Sequence, residues 1–164
     1  MVFIFQGQSG KQFEKCYIIP GREIPKWFEK VNICDTSVVN GYKIKKVKIQ
    51  LPGSGSGCDE WRGIVLCVVF LPTERHHGHI RVNGCQMSGF KNNFPDEMYS
   101  TWAEFTSEYG KVESHHLWLH SVSKNNFRLP KTPGCSIDKK GFHQVELEIA
   151  TLGLEVEKIG FCVV

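Results

Sequence analysis

The sequence predicts an all-β protein, an antiparallel sandwich of about eight strands joined by long loops. Three observations indicate this fold. Several segments alternate apolar and polar residues with a period of two, as a strand with one buried face does. Residues 64–70 form a continuous apolar run with several β-branched residues, which is typical of a central strand covered on both faces. Helical patterns are almost absent from the sequence, which favours a sandwich of the jelly-roll or Ig-like type.

The length of 164 residues fits one domain. We assign residues 1–15 to a lead-in and residues 16–164 to the sandwich. The apolar run at residues 2–5 is too short for a signal peptide and lacks its basic flank. The last strand stops without a polar tail, so we expect the chain to be a piece of a longer protein.

The strands follow in order. The first, at residues 16–19, ends at Pro20-Gly21, a strong turn signal. Pro25 cannot donate a ladder hydrogen bond, so residues 24–28 are predicted to be an edge strand or an irregular segment. The remaining strands are predicted at residues 46–51, 64–70, 80–87, 113–122, 145–149 and 154–163.

The last strand changes parity. Its apolar residues occupy one alternating row up to Val156 and the other row from Ile159 onwards. An extra residue in the strand would turn both rows towards the core. The sequence therefore predicts a β-bulge at Glu157-Lys158.

Three connections lack a strand period. Residues 53–57, Gly-Ser-Gly-Ser-Gly, form a flexible loop. Residues 91–111 are predicted to be a long connection with room for a helical turn at residues 96–98, and residues 125–141 to be another. Long loops inside a compact domain are more often functional than accidental, which makes these segments candidates for a binding surface.

The charge balance argues against nucleic-acid binding. The net charge is +3, too small for the basic face that phosphate recognition requires. The local basic run between Lys43 and Lys48 alternates with apolar residues, so we interpret it as the solvated face of a strand. No stretch has the roughly 20 apolar residues of a membrane helix.

The cysteines indicate a reducing compartment. The seven cysteines are an odd number and contain no C-x-x-C pair, so a zinc ribbon is not predicted. Cys67 and Cys162 lie in apolar strand runs and behave as small hydrophobic residues. The sequence also lacks an N-x-[ST] acceptor. Cytosol or nucleus is the predicted location.

Two histidine clusters are candidates for a metal or ligand site. Residues 76–79, His-His-Gly-His, could bind a transition metal, and the pair His77/His79 is similar to the H-x-H of cupins. A cupin motif requires a glutamate a few residues further on, where Val82 and Asn83 stand instead. We therefore favour a hairpin tip with Gly78 in the turn.

The second cluster lies in the strand predicted at residues 113–122. His116, Trp118 and His120 share one face of that strand. A row of this kind is either a sugar platform or a partly exposed sheet face, and we favour the exposed face.

No catalytic motif is visible. The sequence has no G-x-S-x-G elbow, no phosphate-cradling glycine loop and no H-E-x-x-H helix. Carboxylates are scattered, so no acid/base pair is identifiable. A non-enzymatic protein without cofactor or metal is predicted.

Five segments resemble one family. Residues 20–28, PGREIPKWF, resemble the P-G-x-E-I-P-x-W-F signature that opens the C-terminal jelly-roll/Ig-like domain found after the leucine-rich repeats of plant TIR–NBS–LRR immune receptors. Four further matches follow in the family's order, with Ile159 where cysteine is usual: IQLP at 49–52, RGIVLCVVF at 62–70, HLWL at 116–119 and VEKIGF at 156–161. The resemblance spans about residues 16–164.

The signature has a structural interpretation. Its prolines and glycine fix a turn, and its aromatic residues supply large apolar area. We therefore expect Trp27, Trp118 and Phe161 to be buried core residues and not ligand contacts.

The resemblance implies a recognition module. In the family, this domain binds a pathogen effector directly, together with the leucine-rich repeats, in the cytoplasm or nucleus of the plant cell. Effector binding releases the nucleotide-binding region, the receptor oligomerises, and the TIR domains cleave NAD. The resemblance places none of that chemistry in this chain. It implies an isolated domain that is a monomer, with the effector and the receptor's own repeats as partners, and neither nucleic acid nor membrane.

The candidate contacts lie in the segments that match nothing in the family, residues 73–79 and 91–111. Exposed aromatic and polar groups there would anchor a partner. They are Arg75, His76, His77, Asn92, Asn93, Phe94, Met98, Tyr99, Trp102 and Tyr109. Two alternatives stay open: a carbohydrate-binding module that uses the Trp118 face, and a cupin-like metalloenzyme.

Overall fold

The chain folds as an all-β sandwich, as the period-two pattern predicts. The computed structural model describes residues 2–8, 16–52, 61–74, 77–86, 97–107, 114–124 and 142–164. These residues form eleven strands, with antiparallel pairing throughout. In chain order they are β1 (Val2–Gln8), β2 (Cys16–Pro20), β3 (Glu29–Val31), β4 (Ile33–Val39), β5 (Tyr42–Pro52), β6 (Gly63–Pro72), β7 (His77–Gln86), β8 (Glu97–Ser107), β9 (His116–Ser123), β10 (Phe142–Leu152) and β11 (Leu154–Val163). None of the described residues belongs to a helix long and apolar enough to cross a membrane.

The strands divide into two sheets. The six-stranded sheet has the order β1-β8-β7-β10-β5-β4, and the five-stranded sheet has the order β2-β9-β6-β11-β3. The chain passes from one sheet to the other at Gly153, between β10 and β11. Gly153 has φ +70°, and a Cβ there would lie 2.5 Å from the carbonyl oxygen of His77. Glycine is the residue that accommodates both the left-handed backbone and the close approach.

The main core lies between the two sheets. Alternate residues of β5 to β11 point inward and are almost fully buried, which confirms the period-two interpretation of β5 and β10. The inward residues include Val47, Ile49, Leu51, Leu66, Val68, Phe70, Ile80, Val82, Trp118, Val145, Leu147, Ile149, Ile159 and Phe161. Burying each of the larger aliphatic or aromatic side chains stabilises the fold by about 1.5–3 kcal/mol.

A second, smaller core covers the outer face of the five-stranded sheet. Cys67, Val69 and Leu117 point away from the sandwich interior and are buried beneath Ile24 and Phe28. These two side chains belong to residues 21–28, an irregular stretch that we call the crossing segment. The prediction of an irregular segment here and of a central strand covered on both faces is therefore confirmed.

The predicted bulge in β11 is also confirmed. Val156 pairs with Phe70, and Lys158 pairs with Val69, so Glu157 is the extra residue. Val156 and Ile159 are both buried, with relative exposures of 2% and 1%. The bulge thus turns both apolar rows towards the core, as the parity change requires.

A hairpin joins β4 and β5. Asn40 (φ +51°) and Gly41 (φ +83°) both adopt left-handed backbone, the arrangement that a two-residue hairpin turn requires. The Asn-Gly dipeptide between Val39 and Tyr42 is a strong sequence signal for such a turn. The predicted strands nevertheless include neither β4 nor β3.

The connection predicted at residues 91–111 is wrong over residues 97–107, which form β8 between β7 and β1. The inner row of β8 contains Thr101, Ala103 and Phe105, all buried. Small and hydroxyl-bearing side chains fill most of this row, so its apolar alternation is weak in the sequence.

Two further predictions, a helical turn before β8 and a lead-in without a strand, are also wrong. The helical turn expected at residues 96–98 is instead the start of the strand, which runs from Glu97. Residues 2–8, which we assigned to the lead-in, form β1 and pair with β8 from Val2↔Ser107 to Gln8↔Thr101. The second long connection, at residues 125–141, and the glycine-serine loop at 53–57 lie outside the described residues.

Candidate functional site

The outer face of the six-stranded sheet brings together side chains from four strands. Trp102 of β8 pairs with Arg81 of β7, and two residues along, Glu104 pairs with His79. His79 also pairs with Leu152 of β10. Tyr42, the first residue of β5, reaches the His79 ring from the far side of β10. We call Trp102, Arg81, His79, Leu152 and Tyr42 the outer patch.

The rings of the outer patch are in contact. The His79 and Trp102 ring centroids are 6.1 Å apart at 32°, and those of His79 and Tyr42 are 5.8 Å apart at 78°. Trp102 and Leu152 each retain 37% exposure. The residue that pairs with Trp102 on β1 is Gly7. The patch is therefore a partly exposed aromatic surface with the imidazole at its centre.

His79 is held towards its neutral form. Burial lowers the pKa of this imidazole, and the nearby charges of His77 and Arg81 lower it further, while Glu104 opposes them by raising it. Its Nδ1 is buried and has no hydrogen-bond partner among the residues that the structure describes. An imidazole flanked by two aromatic rings and a leucine is poorly hydrated, which disfavours the imidazolium.

Arg81 carries the positive charge of the outer patch. Its side chain is exposed, and its Nε donates a hydrogen bond to Asn83 Oδ1 at 3.5 Å, the long end of the range. The ion pairs formed among the described residues do not include Arg81. Lys46, further along the same outer face, lies 3.6 Å from Glu146 and 4.0 Å from Glu148.

The structure places only part of the predicted contact residues. Trp102 belongs to the outer patch, and His77 is an exposed residue at the start of β7, with the same strand parity as His79. Met98 and Tyr99 lie in β8 and not in a loop, and their side chains fall outside what the structure describes. Six others lie outside the described residues: Arg75, His76, Asn92, Asn93, Phe94 and Tyr109.

The hairpin tip predicted at residues 76–79 is wrong for its last three positions. His77, Gly78 and His79 are already inside β7 and pair with residues of β8. Gly78 faces inward, where a Cβ would lie 2.6 Å from a methyl carbon of Leu154. This glycine therefore serves close packing between the sheets and not a turn.

The row His116, Trp118 and His120 is neither a sugar platform nor an exposed sheet face. It points into the core, with relative exposures of 8%, 0% and 0%. The His120 and Trp118 rings stack at 4.9 Å, and Phe70 stacks on His116 at 6.1 Å. The carbohydrate site that we considered on this face is therefore not accessible to a ligand.

Trp27 is not a core residue, in contrast to the prediction. It is 66% exposed, whereas Phe28, Trp118 and Phe161 are buried. The crossing segment turns at residues 26–28, where the Phe28 N–H donates to the Pro25 carbonyl at 3.0 Å, so only one of the two adjacent rings faces the sheet. The Trp27 ring rests on Phe28, 4.3 Å between centroids.

Charged contacts anchor the crossing segment to the sheet. Glu157, the bulge residue, accepts a hydrogen bond from His115 Nε2 at 2.8 Å and lies 3.7 Å from Arg22 Nε. Lys158 donates to Glu23 at 2.9 Å. The hydrogen bond from His115 lowers the pKa of Glu157, and that from Lys158 lowers the pKa of Glu23. The bulge therefore also supplies side chains that hold the segment.

The described cysteines are free thiols. Burial raises the pKa of the Cys67 thiol to about 11. Burial also raises the pKa of the Cys16 thiol. These thiols remain protonated near neutral pH and are poor nucleophiles. Among the described residues, no group of three or more His, Cys, Asp or Glu is placed to hold a metal ion.

A cleft of about 400 Å³ opens at the β5–β4 edge of the six-stranded sheet, the edge distant from β8, where β3 joins the other sheet. Its walls include Lys30, Asn32, Lys48 and Gln50, with Cys34 at the β4 side. None of the predicted contact residues lines it.

Comparison with known proteins adds little. No protein-family model matches the chain, and no curated protein matches its sequence. Among solved structures, the enzymatically active domain of bacteriophage CBA120 tailspike protein 4 aligns with 99% of this chain and 19% of its own, at 11% identity and a TM-score of 0.31. A similarity of this size supports no conclusion about fold or function, so the outer patch is interpreted from its own residues.

Proposed function

We propose that the chain is a non-catalytic recognition module of an intracellular plant immune receptor of the TIR–NBS–LRR class. In this role it contributes, with the receptor's leucine-rich repeats, to direct binding of a pathogen effector protein in the cytoplasm or nucleus. The sequence resemblance at residues 20–28 and its four ordered companions motivates the class. The outer patch is the observation that supports a recognition role.

The composition of the outer patch suits protein binding. Tryptophan, tyrosine and arginine are the residues most enriched among the energetic centres of protein interfaces. Here Trp102, Tyr42 and Arg81 surround His79 on a rigid sheet, so little conformational entropy is lost when a partner binds.

A carbohydrate-binding module receives less support. Its proposed Trp118 face is buried, and the rings of the outer patch do not share a plane, since Tyr42 is inclined at 78° to His79. A sugar platform stacks pyranose rings on aromatic faces that lie side by side, so this arrangement suits it poorly.

A binary interaction screen tests the proposal. The chain would be paired with a library of proteins secreted by plant pathogens, as the wild type, as Trp102→Ala and as Trp27→Ala. Trp27 is a matched control because it is an exposed tryptophan on the other sheet. We expect partners that are lost with Trp102→Ala and kept with Trp27→Ala.

Partners that are insensitive to Trp102→Ala, or a screen without partners, would count against the outer patch. Binding to a glycan array that Trp102→Ala abolishes would favour the carbohydrate module instead. The receptor class is tested separately by the parent transcript, which should encode TIR, nucleotide-binding and leucine-rich-repeat regions upstream of this chain. A transcript without them would contradict the assignment.

A further inference from the structure

Arg81 gives the proposed recognition surface a charge preference. It is an exposed residue of the outer patch, between Trp102 on β8 and Ala150 on β10. Within the described part of the chain, its hydrogen bond goes to the neutral Asn83, and its guanidinium enters no ion pair. A guanidinium presents several N–H donors in a fixed fork that matches a carboxylate. A carboxylate partner for this side chain would therefore come from another molecule.

Two acidic residues on the same face already form ion pairs with a lysine. Glu146 and Glu148 are within 4.0 Å of Lys46 Nζ. Glu104 lies opposite His79, and its charge raises the pKa of that imidazole. The side of Arg81 that faces Asn83 is one ladder row further from Glu104. The carboxylate in that row, Glu148, pairs with Asn83 and lies 4.0 Å from Lys46 Nζ, which offsets its charge towards an incoming carboxylate.

The other side of Arg81 is apolar. Leu152 and Trp102 are partly exposed, and the neutral His79 ring lies between Trp102 and Tyr42. Successive residues on one face of a strand are about 7 Å apart. Trp102 pairs with Arg81, but its ring contacts His79, one such step along β7, and His79 also pairs with Leu152, so the apolar contacts centre about one step from Arg81. An extended peptide presents its side chains i and i+2 at the same spacing.

We propose that the outer patch binds an extended segment of a partner protein that places an aspartate or glutamate on Arg81 and, two residues away, an apolar side chain on Leu152 and Trp102. This inference rests on the proposed recognition function and specifies the chemistry of the partner. Charge-assisted bonds to arginine fix the register of the segment, and the apolar side chain supplies buried area.

A random-peptide library displayed on phage provides the probe. The library is selected on the 164-residue chain and depleted on Trp102→Ala, so that the retained peptides depend on the outer patch. We expect an acidic residue two positions from an apolar one among them. Arg81→Ala should weaken a synthetic peptide of this type by about tenfold or more, and Arg81→Lys by less, because lysine loses the bidentate geometry.

A charge exchange decides whether the contact is direct. Arg81→Glu should abolish binding of the acidic peptide, and replacing the peptide's carboxylate residue with arginine should restore it. Arg62→Ala, an exposed arginine elsewhere, should change neither, and unchanged melting temperatures would show that the variants are folded.

The outcomes separate this inference from the function on which it rests. Peptides that depend on Trp102 but lack acidic residues, or that bind Arg81→Ala as tightly as the wild type, would overturn the charge preference alone. A selection that yields no Trp102-dependent peptide would overturn both the preference and the recognition surface.

Discussion

Ile24 of the crossing segment packs against the backbone of Gly160 in β11. A Cβ at Gly160 would lie 2.9 Å from Ile24 Cγ2 and 3.1 Å from the carbonyl oxygen of Glu29. Gly160 is the glycine of the IGF sequence in β11, and Ile24 is the isoleucine of the crossing segment. The glycine therefore makes room for the segment to lie on the sheet.

The first prediction concerns this contact. Gly160→Ala should lower the free energy of unfolding by about 1–3 kcal/mol, because the added methyl group overpacks the site. In an Ile24→Ala background the same substitution should cost less by roughly 1 kcal/mol, because the nearer of the two obstacles is gone. Urea unfolding of the four proteins measures both values. Strictly additive losses would show that the two residues do not interact.

Trp27 and Trp118 are both predicted to be core residues, but replacing each with alanine should lower the free energy of unfolding by different amounts. Trp118→Ala should cost about 3–5 kcal/mol because it empties a fully buried site. Trp27→Ala should cost less than about 1 kcal/mol, since a largely exposed side chain loses only its contact with Phe28. Urea unfolding monitored by circular dichroism compares them. Similar losses for both variants would contradict the placement of Trp27.

A strand is predictable from the sequence when the residues on its inward face are consistently large and apolar. Val47 and Leu147 belong to inward rows that are aliphatic throughout the predicted segments 46–51 and 145–149, so the central parts of β5 and β10 were predicted correctly. In β8, Thr101 and Ala103 occupy inward positions, and a row of this composition resembles a loop. Trp27 shows the limit of residue type as a guide, because its neighbour Phe28 takes the buried position.

The candidate site was less predictable than the fold. Trp102 was identified for its aromatic character, but as part of a loop. Tyr42 was missed because it begins a lysine-rich strand whose outward row we interpreted as solvated. Its proximity to His79 arises from the pairing of β5 and β7 with β10, two ladders between segments distant in sequence. No local pattern contains that information.

Two left-handed glycines provide a third prediction. Gly41 (φ +83°) has open space where a Cβ would lie, 4.0 Å from Leu152, whereas a Cβ at Gly153 would lie 2.5 Å from a backbone oxygen. Gly41→Ala should therefore cost about 1–2 kcal/mol from backbone strain alone. Gly153→Ala should cost about 1–3 kcal/mol more, from the added steric conflict. Thermal or urea unfolding measures both costs. Equal costs would show that backbone strain accounts for both and that the steric conflict at Gly153 adds nothing.

Acidic conditions should destabilise the fold through its paired carboxylates. A hydrogen bond from Lys43 lowers the pKa of Glu155, which also bonds Lys45. A depressed carboxyl pKa means that the unfolded chain binds the proton first, so this stabilisation is present above the unfolded pKa of about 4.3 and is lost as pH falls below it. Urea midpoints between pH 6 and pH 3 should fall less steeply for Glu155→Gln than for the wild type.

His79 should cause a second loss of stability, at higher pH than the loss caused by Glu155. Burial lowers the pKa of its imidazole from the ordinary value near 6.5, so the unfolded chain takes up this proton before the folded chain does. The contribution of His79 to stability is therefore complete above about pH 6.5 and is lost as pH falls through the lowered value. His79→Gln should flatten the decline in urea midpoint between pH 7 and pH 5. A decline as steep in His79→Gln as in the wild type would contradict the neutral state assigned to His79, and with it the apolar character of the surface between Trp102 and Tyr42.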